Sequence, residues 1–219
     1  MMSKVVVPEE RYQLHVMLLD VGPAPWCRFL VRPDTTIDEL HRLIQRCMAW
    51  DERSWHAFRI HGTLHFGRRS GYGGCDPGGT ADTSLSSFRL IQGERFCYDY
   101  GSWRCQLRLE KIVVVHRPRF WPVCIAGKWS APPEACGDGR SYMTHRERIR
   151  CPTETIDLCV DLVEDGPEDP ARFREQLKKI IAWSRWMHFD RRQLNTNLRS
   201  LPLAWEEEKD DAFSFAIGG

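Results

Sequence analysis

The chain has 219 residues, enough for one large domain or a core domain with an appendage. A hydrophobic share of 42% and a charged share of 28% are those of a globular protein, and a formal charge of +1 supplies no global attraction to nucleic acid or membrane. No run approaches the roughly 20 apolar residues of a bilayer span, and the opening MMSKVVVPEE lacks a signal-peptide layout.

The expected compartment is therefore the cytosol. There the nine irregularly spaced cysteines, with no CxxC pair among them, are expected to be mostly reduced and buried. Nine tryptophans supply apolar area for a substantial core.

Residues 11–20 and 26–32 alternate in polarity and predict a hairpin across the turn at Gly22, Pro23 and Pro25. In the second strand Cys27, Phe29 and Val31 form one face, and Trp26, Arg28, Leu30 and Arg32 the other. Thr36-Ile-Asp-Glu39 is a capping box, in which hydroxyl and carboxylate each satisfy a backbone amide at a helix start. Behind it Leu40, Leu43, Ile44, Cys47 and Met48 recur at helical spacing, predicting an amphipathic helix over 37–49.

Trp55–Ile60 predicts a third strand, with His56, Phe58 and Ile60 on one face. A short fourth strand follows at Thr63–Phe66. Residues 67–82 form a glycine-rich loop without the order of a phosphate-binding loop, so an excursion is favoured over a phosphate site. Leu85–Leu90 predicts a helical turn. Residues 94–101 and 103–115 predict a hairpin turning at Gly101-Ser102, with Cys105, Leu107 and Leu109 on the apolar face and Arg104, Gln106, Arg108 and Glu110 on the polar one.

Residues 124–139 read as irregular and Ser141–Arg150 as a short basic helix. Residues 153–170 are acidic. A helix is expected from Pro170, with Phe173, Leu177, Ile180, Ile181 and Met187 in its stripe, and another over Arg191–Leu201. The tail from 204 to 219 is expected to be peripheral.

The order of these motifs resembles the Ri-plasmid open-reading-frame-three-like family, also described as insertion-element passenger proteins. The resemblance rests on YQLHVMLLDVGPAPWCRFLV, TTIDELHRLIQRCMAWDERSWHAFRIHG, YDYGSWRCQLRLEKI, and the segment Cys124, Gly127, Pro132-Pro133-Glu134 and Cys136-Gly137. It covers about residues 11 to 139 specifically and the helical C-terminal part more loosely. The chain departs from the pattern at Cys105, where the family usually has His, at Ala131, where it often has Cys, and in a turn before Trp103 that is one residue shorter.

Strand, strand, helix and the resemblance together imply an α+β fold: a β-grasp-like (ubiquitin-like) mixed sheet with a crossing helix. The expected organisation is a core over 8–139, a helical extension over 140–203 packed on it, and the tail. The resemblance implies a setting on plasmids or insertion elements and brings no defined chemistry.

One metal reading draws on Cys105, Cys124, Cys136 and His56, a thiolate and imidazole set suited to a structural zinc. The bland reading, favoured here, is buried thiols and a core histidine. No nucleophile beside a base stands out, and enzymatic activity is not expected.

Tyr98, Tyr100, Trp103 and Arg104 are candidates for partner contact. Lys178, Arg191 and Arg192, on basic C-terminal helices, are candidates for phosphate contact or for docking on the acidic stretch of the same chain. The reading this supports is a non-enzymatic binding module acting on a protein partner. Nucleic-acid binding through the basic helices is the alternative, and a zinc-stabilised or thiol-dependent enzyme the third. No cofactor other than that zinc and no membrane contact are called for, and the oligomeric state is left open.

Overall fold

A computed structural model describes residues 8–51, 54–66, 80–116, 122–150 (backbone only at 145 and 148–150) and 188–200, together with Val160, Arg174 and Lys178 as helical positions. Most of the expected loop at 67–82, most of the acidic stretch, most of the helix after Pro170, and the tail lie outside the described residues.

Seven strands are described: β1 (Glu9–Leu18), β2 (Trp26–Val31), β3 (His56–Ile60), β4 (Thr63–His65), β5 (Arg95–Tyr100), β6 (Trp103–Val115) and β7 (Val123–Lys128). They form one sheet in the order β4-β3-β5-β6-β1-β2-β7. Every described pairing is antiparallel. This corrects the mixed sheet expected from the sequence. The β5–β6 hairpin returns β6 alongside β1 in the opposite sense, so the centre of the sheet has no parallel pair.

The first helix, α1 (Ile37–Met48), begins where expected. The Thr36 hydroxyl accepts from the Glu39 amide, and the Glu39 carboxylate accepts from the Thr36 amide. Its buried side includes Leu40, Leu43, Ile44 and Met48. These pack on the sheet face formed by Leu14, Val16, Cys27, Phe29, Phe58, Tyr98, Leu107 and their neighbours. Gly101 has φ +52 at the β5–β6 turn, a left-handed conformation that glycine adopts without a Cβ penalty.

Two further helices with described bounds, α2 (Gly139–Arg150) and α3 (Arg191–Arg199), lie on the covered side. Asp190 caps α3 by accepting from the amides of Arg192 and Gln193. Leu194 and Leu198 of α3 and Tyr142 of α2 join the common core.

The irregular segment expected at 124–139 contains β7, the strand that periodicity did not reveal. β7 pairs with β2 on one side. On the other, Asn195 of α3 acts as a substitute strand. Its side-chain amide donates to the Cys124 carbonyl at 2.9 Å, and its carbonyl accepts from the Cys124 amide at 2.8 Å.

Cysteine use differs in part from expectation. Cys105 and Cys124 are free and buried, and Cys97 and Cys136 are free and half-buried. Cys27 and Cys47, however, form a disulfide joining β2 to α1. The helix lies across the strand, which brings together two cysteines 20 residues apart.

Candidate functional site

Period-two alternation gives the sheet two unlike faces. The helices cover one. On the other, the register sets Arg95 of β5 opposite Arg108 of β6, Arg108 opposite His15 of β1, and His15 opposite Arg28 of β2. A second row runs from Arg59 of β3 through Cys97, Gln106 and Met17 to Trp26 of β2 and Lys128 of β7. Arg59, Arg95, Arg104 and Arg108 are exposed.

Two carboxylates answer part of this charge. Arg104 donates from Nε to Asp99 Oδ1 at 2.6 Å across the β5–β6 pair. Glu110 takes a two-pronged contact from Arg28, with Nη2 donating to Oε1 at 2.8 Å, and a further bond from Gln13 Nε2 at 2.7 Å. The Arg28 bond, and then the Gln13 bond, hold the Glu110 carboxyl down at about 2 despite partial burial. Glu110 sits at a bulge, since the register skips it between Lys111 and Leu109 opposite Gln13 and Leu14.

His15 and Trp26 form the aromatic part of this face. Their ring centroids lie 5.3 Å apart with the planes tilted by 34°. The Arg28 guanidinium lies over the indole at 5.2 Å. Burial lowers the His15 pKa, with Arg28 and Arg108 adding to the effect against Glu110, so the imidazole is neutral at pH 7.

The aromatic residues expected at a contact surface are interior instead. Tyr98, Tyr100 and Trp103 are 0%, 0% and 4% exposed, on the face beneath α1. The sequence placed them by composition, whereas the register turns them inward. Of that group only Arg104 reaches the surface.

Tyr98 OH lies 2.7 Å from His41 Nδ1 and accepts from Gln45 Nε2 at 2.7 Å. His41 stacks on His56 with centroids 3.6 Å apart and an interplanar angle of 7°. Burial first, then the neighbouring imidazole and Arg42, pushes His41 down to about 2. Burial pushes His56 down to about 4, against a smaller upward pull from Asp38 and the Ser54 backbone. Neither nitrogen of His56 meets hydrogen-bond geometry with a described residue. Both imidazoles are therefore neutral at pH 7.

The Pro-Pro-Glu segment docks beside this cluster. The Trp50 indole donates to the Pro132 carbonyl at 3.0 Å and stacks between Tyr100 and Trp103, at 5.2 and 5.6 Å. The Glu134 carboxylate accepts from Tyr100 OH at 2.7 Å, the Asp51 amide at 2.7 Å and Ser54 Oγ at 3.3 Å. The hallmark residues of this segment thus peg the chain after β7 to the turn between α1 and β3.

The four residues of the metal reading sit apart in the sheet order. His56 is on β3, Cys105 on β6, Cys124 on β7 and Cys136 in the turn Glu134–Cys136. β1 and β2 stand between β6 and β7, a separation of roughly 14 Å at ~4.8 Å per strand. Among the described residues no group of three or more His, Cys, Asp or Glu has the spacing to hold a metal ion. Burial raises the Cys105 thiol pKa strongly, lifts Cys124 to about 11 and Cys136 to about 12, so all three are protonated at neutral pH.

Of the basic-helix candidates, Lys178 is an exposed helical position. Arg191 donates to the Ile125 carbonyl of β7 at 2.8 Å, and Arg192 is exposed. Arg28, Arg59, Arg95, His15 and Trp26 were not singled out by sequence. Their signal was the polar half of each alternation, which forms one surface only when the strand order is known.

Among the described residues, an antiparallel seven-stranded sheet with helices on one face and exposed arginines on the other defines the class: an α+β protein. The chain belongs to the family described as plasmid pRiA4b ORF-3-like protein, whose model matches residues 10–177. No curated protein matches it. A crystal structure of a protein of unknown function from Methanosarcina mazei Go1 is similar, with 25% identity and a TM-score of 0.62 over 84% of this chain and 96% of that one. Among the described residues no helix is long and apolar enough to cross a membrane.

Proposed function

We propose that this protein is a non-enzymatic binding module whose working surface is the open face of the sheet, and that its partner there is anionic. The observation that carries the reading is the Arg95–Arg108 pair. Like charges directly opposite in an antiparallel pair weaken a sheet. Neither guanidinium has a hydrogen bond or ion pair among the described residues, nor has that of Arg59. A partner anion supplies the missing counter-charge. The protonated thiols and the neutral, buried imidazoles support a structural role for the residues otherwise suited to catalysis. The family description names a plasmid, which supports a mobile-element setting.

The test is retention on a heparin resin. The wild-type chain is expected to need more salt for elution than an Arg59→Gln/Arg95→Gln/Arg108→Gln variant of equal thermal stability. Equal elution of the two contradicts the reading.

A second reading, contact with a protein segment, has one observation in its favour. β6 outruns its pairing with β5, which ends at Arg108, and leaves Ile112 and Val114 42% and 55% exposed. An extended segment added along this strand would cover them. Loss of a co-purifying protein in Val114→Lys supports that reading, and an unchanged complex removes it.

A further inference from the structure

The open face carries more than charge. We infer that its anionic partner is a single-stranded nucleic acid, with bases stacked against Trp26 and His15 and phosphates held by Arg95, Arg108 and Arg59. This rests on the binding-module reading above and names the partner of that same surface.

Three features support the assignment. First, charge and aromatic surface are interleaved across neighbouring strands. His15 lies between Arg108 and Arg28 in one row, and Trp26 stands beside Lys128 towards the far end of the row that begins at Arg59. A plain polyanion needs only the arginines, whereas a nucleic acid strand also presents flat bases for the rings.

Second, the aromatic pair is in a state suited to stacking. His15 is kept neutral by burial and by the flanking arginines, so its ring meets a base without a further charge to desolvate. Arg28 is anchored by Glu110, whose carboxylate Gln13 holds in turn, and lies over the Trp26 indole, which holds that ring in place. Phosphate contact is left to the arginines that have no carboxylate.

Third, the shape selects a single strand. The surface is the face of a broad sheet, from which side chains rise only a few ångströms. A duplex would offer it a phosphate ridge and keep its bases beyond reach. A single strand is able to lay unstacked bases flat on such a platform, as four-stranded RNA-binding sheets do. From β5 to β2 the row of Arg95, Arg108, His15 and Arg28 crosses three strand gaps, about 14 Å. That is room for a few nucleotides.

The experiment is fluorescence anisotropy of the full chain with a labelled 12-nucleotide single strand, its duplex and dextran sulfate as competitor, at several salt concentrations. The expected result is binding of the single strand at least ten-fold tighter than the duplex. Trp26→Ala is expected to weaken it five-fold or more while Trp26→Phe restores most of it. Arg95→Gln/Arg108→Gln is expected to reduce the slope of log affinity against log salt by about 1.4. Equal affinity for single strand and duplex overturns the inference, as does indifference to Trp26→Ala. Heparin retention that depends on the three arginines, without a single-strand preference, overturns this inference alone and leaves the anionic-partner reading standing. Loss of arginine dependence in both assays removes both.

Discussion

Replacing Glu134 tests why the Pro-Pro-Glu segment has the form it does. In Glu134→Ala the fully buried Tyr100 hydroxyl loses the acceptor at 2.7 Å, and the Asp51 amide and Ser54 hydroxyl lose theirs. The Asp51 amide is at the surface and turns to water at little cost. The Tyr100 hydroxyl still accepts from the Ser54 amide at 3.3 Å, but its proton loses the charged Glu134 acceptor. A buried donor left unsatisfied costs about 1–3 kcal/mol. Loosening the Trp50 stack between Tyr100 and Trp103 adds a fraction of the ~1 kcal/mol such a pair contributes.

The expected loss is about 2–3 kcal/mol. Tyr100→Phe removes donor and demand together and is expected to cost about 1 kcal/mol. Urea unfolding followed by tryptophan fluorescence measures each variant, and the double variant closes a cycle with a coupling of about 1 kcal/mol or more. A loss below about 0.5 kcal/mol for Glu134→Ala, or additive single effects, would refute the pegging role of this carboxylate.

Arg108→Gln relieves the opposed arginines and is expected to raise stability by a few tenths of a kcal/mol while weakening heparin retention, as read from urea midpoints and elution salt. Glu110, held at about 2 in the folded chain, releases its proton more readily there than when unfolded. Its contribution is therefore full above the ordinary carboxylate range and is lost as pH falls from about 5 towards 2. Glu110→Gln should flatten that part of the stability profile by about 1 kcal/mol once solvent screening of this partly exposed pair is allowed for, and a profile unchanged by the substitution contradicts the Arg28 anchor.

His56 has its folded pKa below the unfolded one, so the unfolded chain takes up the proton first. Stability is full above about pH 6.5 and falls as pH drops towards 4. His56→Leu should lessen this fall in thermal melts at pH 7 and pH 5, and an identical pH 5 loss in the variant argues against a buried neutral imidazole. Gly139→Ala places a methyl 2.6 Å from the Asp20 carbonyl and is expected to lower the urea midpoint by an amount worth about 1–3 kcal/mol.

Local chemistry explains what the sequence revealed. The helix at Ile37–Met48 was legible because cap and stripe lie within a dozen residues. The hairpins were legible because alternation and turn residues are neighbours in the chain. β7 was not, because Ala126 and Gly127 carry no strand signal. Its pairing comes from β2, and its outer edge is satisfied by Asn195, 71 positions further along the chain than Cys124. Gly127 itself is needed for close approach, since a Cβ there would fall 2.3 Å from the Phe189 ring.

Strand direction and order were equally hidden, and they decide the candidate site. Alternation divides Tyr98 and Tyr100 from Cys97 and Asp99, but only the position of α1 says which pair is inside. The Cys27–Cys47 disulfide depends on the same helix crossing. The arginine face likewise exists only once β5, β6, β1 and β2 stand side by side.

The most direct test of the central claim is to find where a bound strand touches the chain. A single strand carrying photoreactive thio-bases is cross-linked to the full protein, and the modified peptides are identified by mass spectrometry. Adducts on β1 and β2 at His15 and Trp26, lost in Arg95→Gln/Arg108→Gln, are the predicted result. Adducts confined to α2 or α3, with the sheet peptides unmodified, would contradict it.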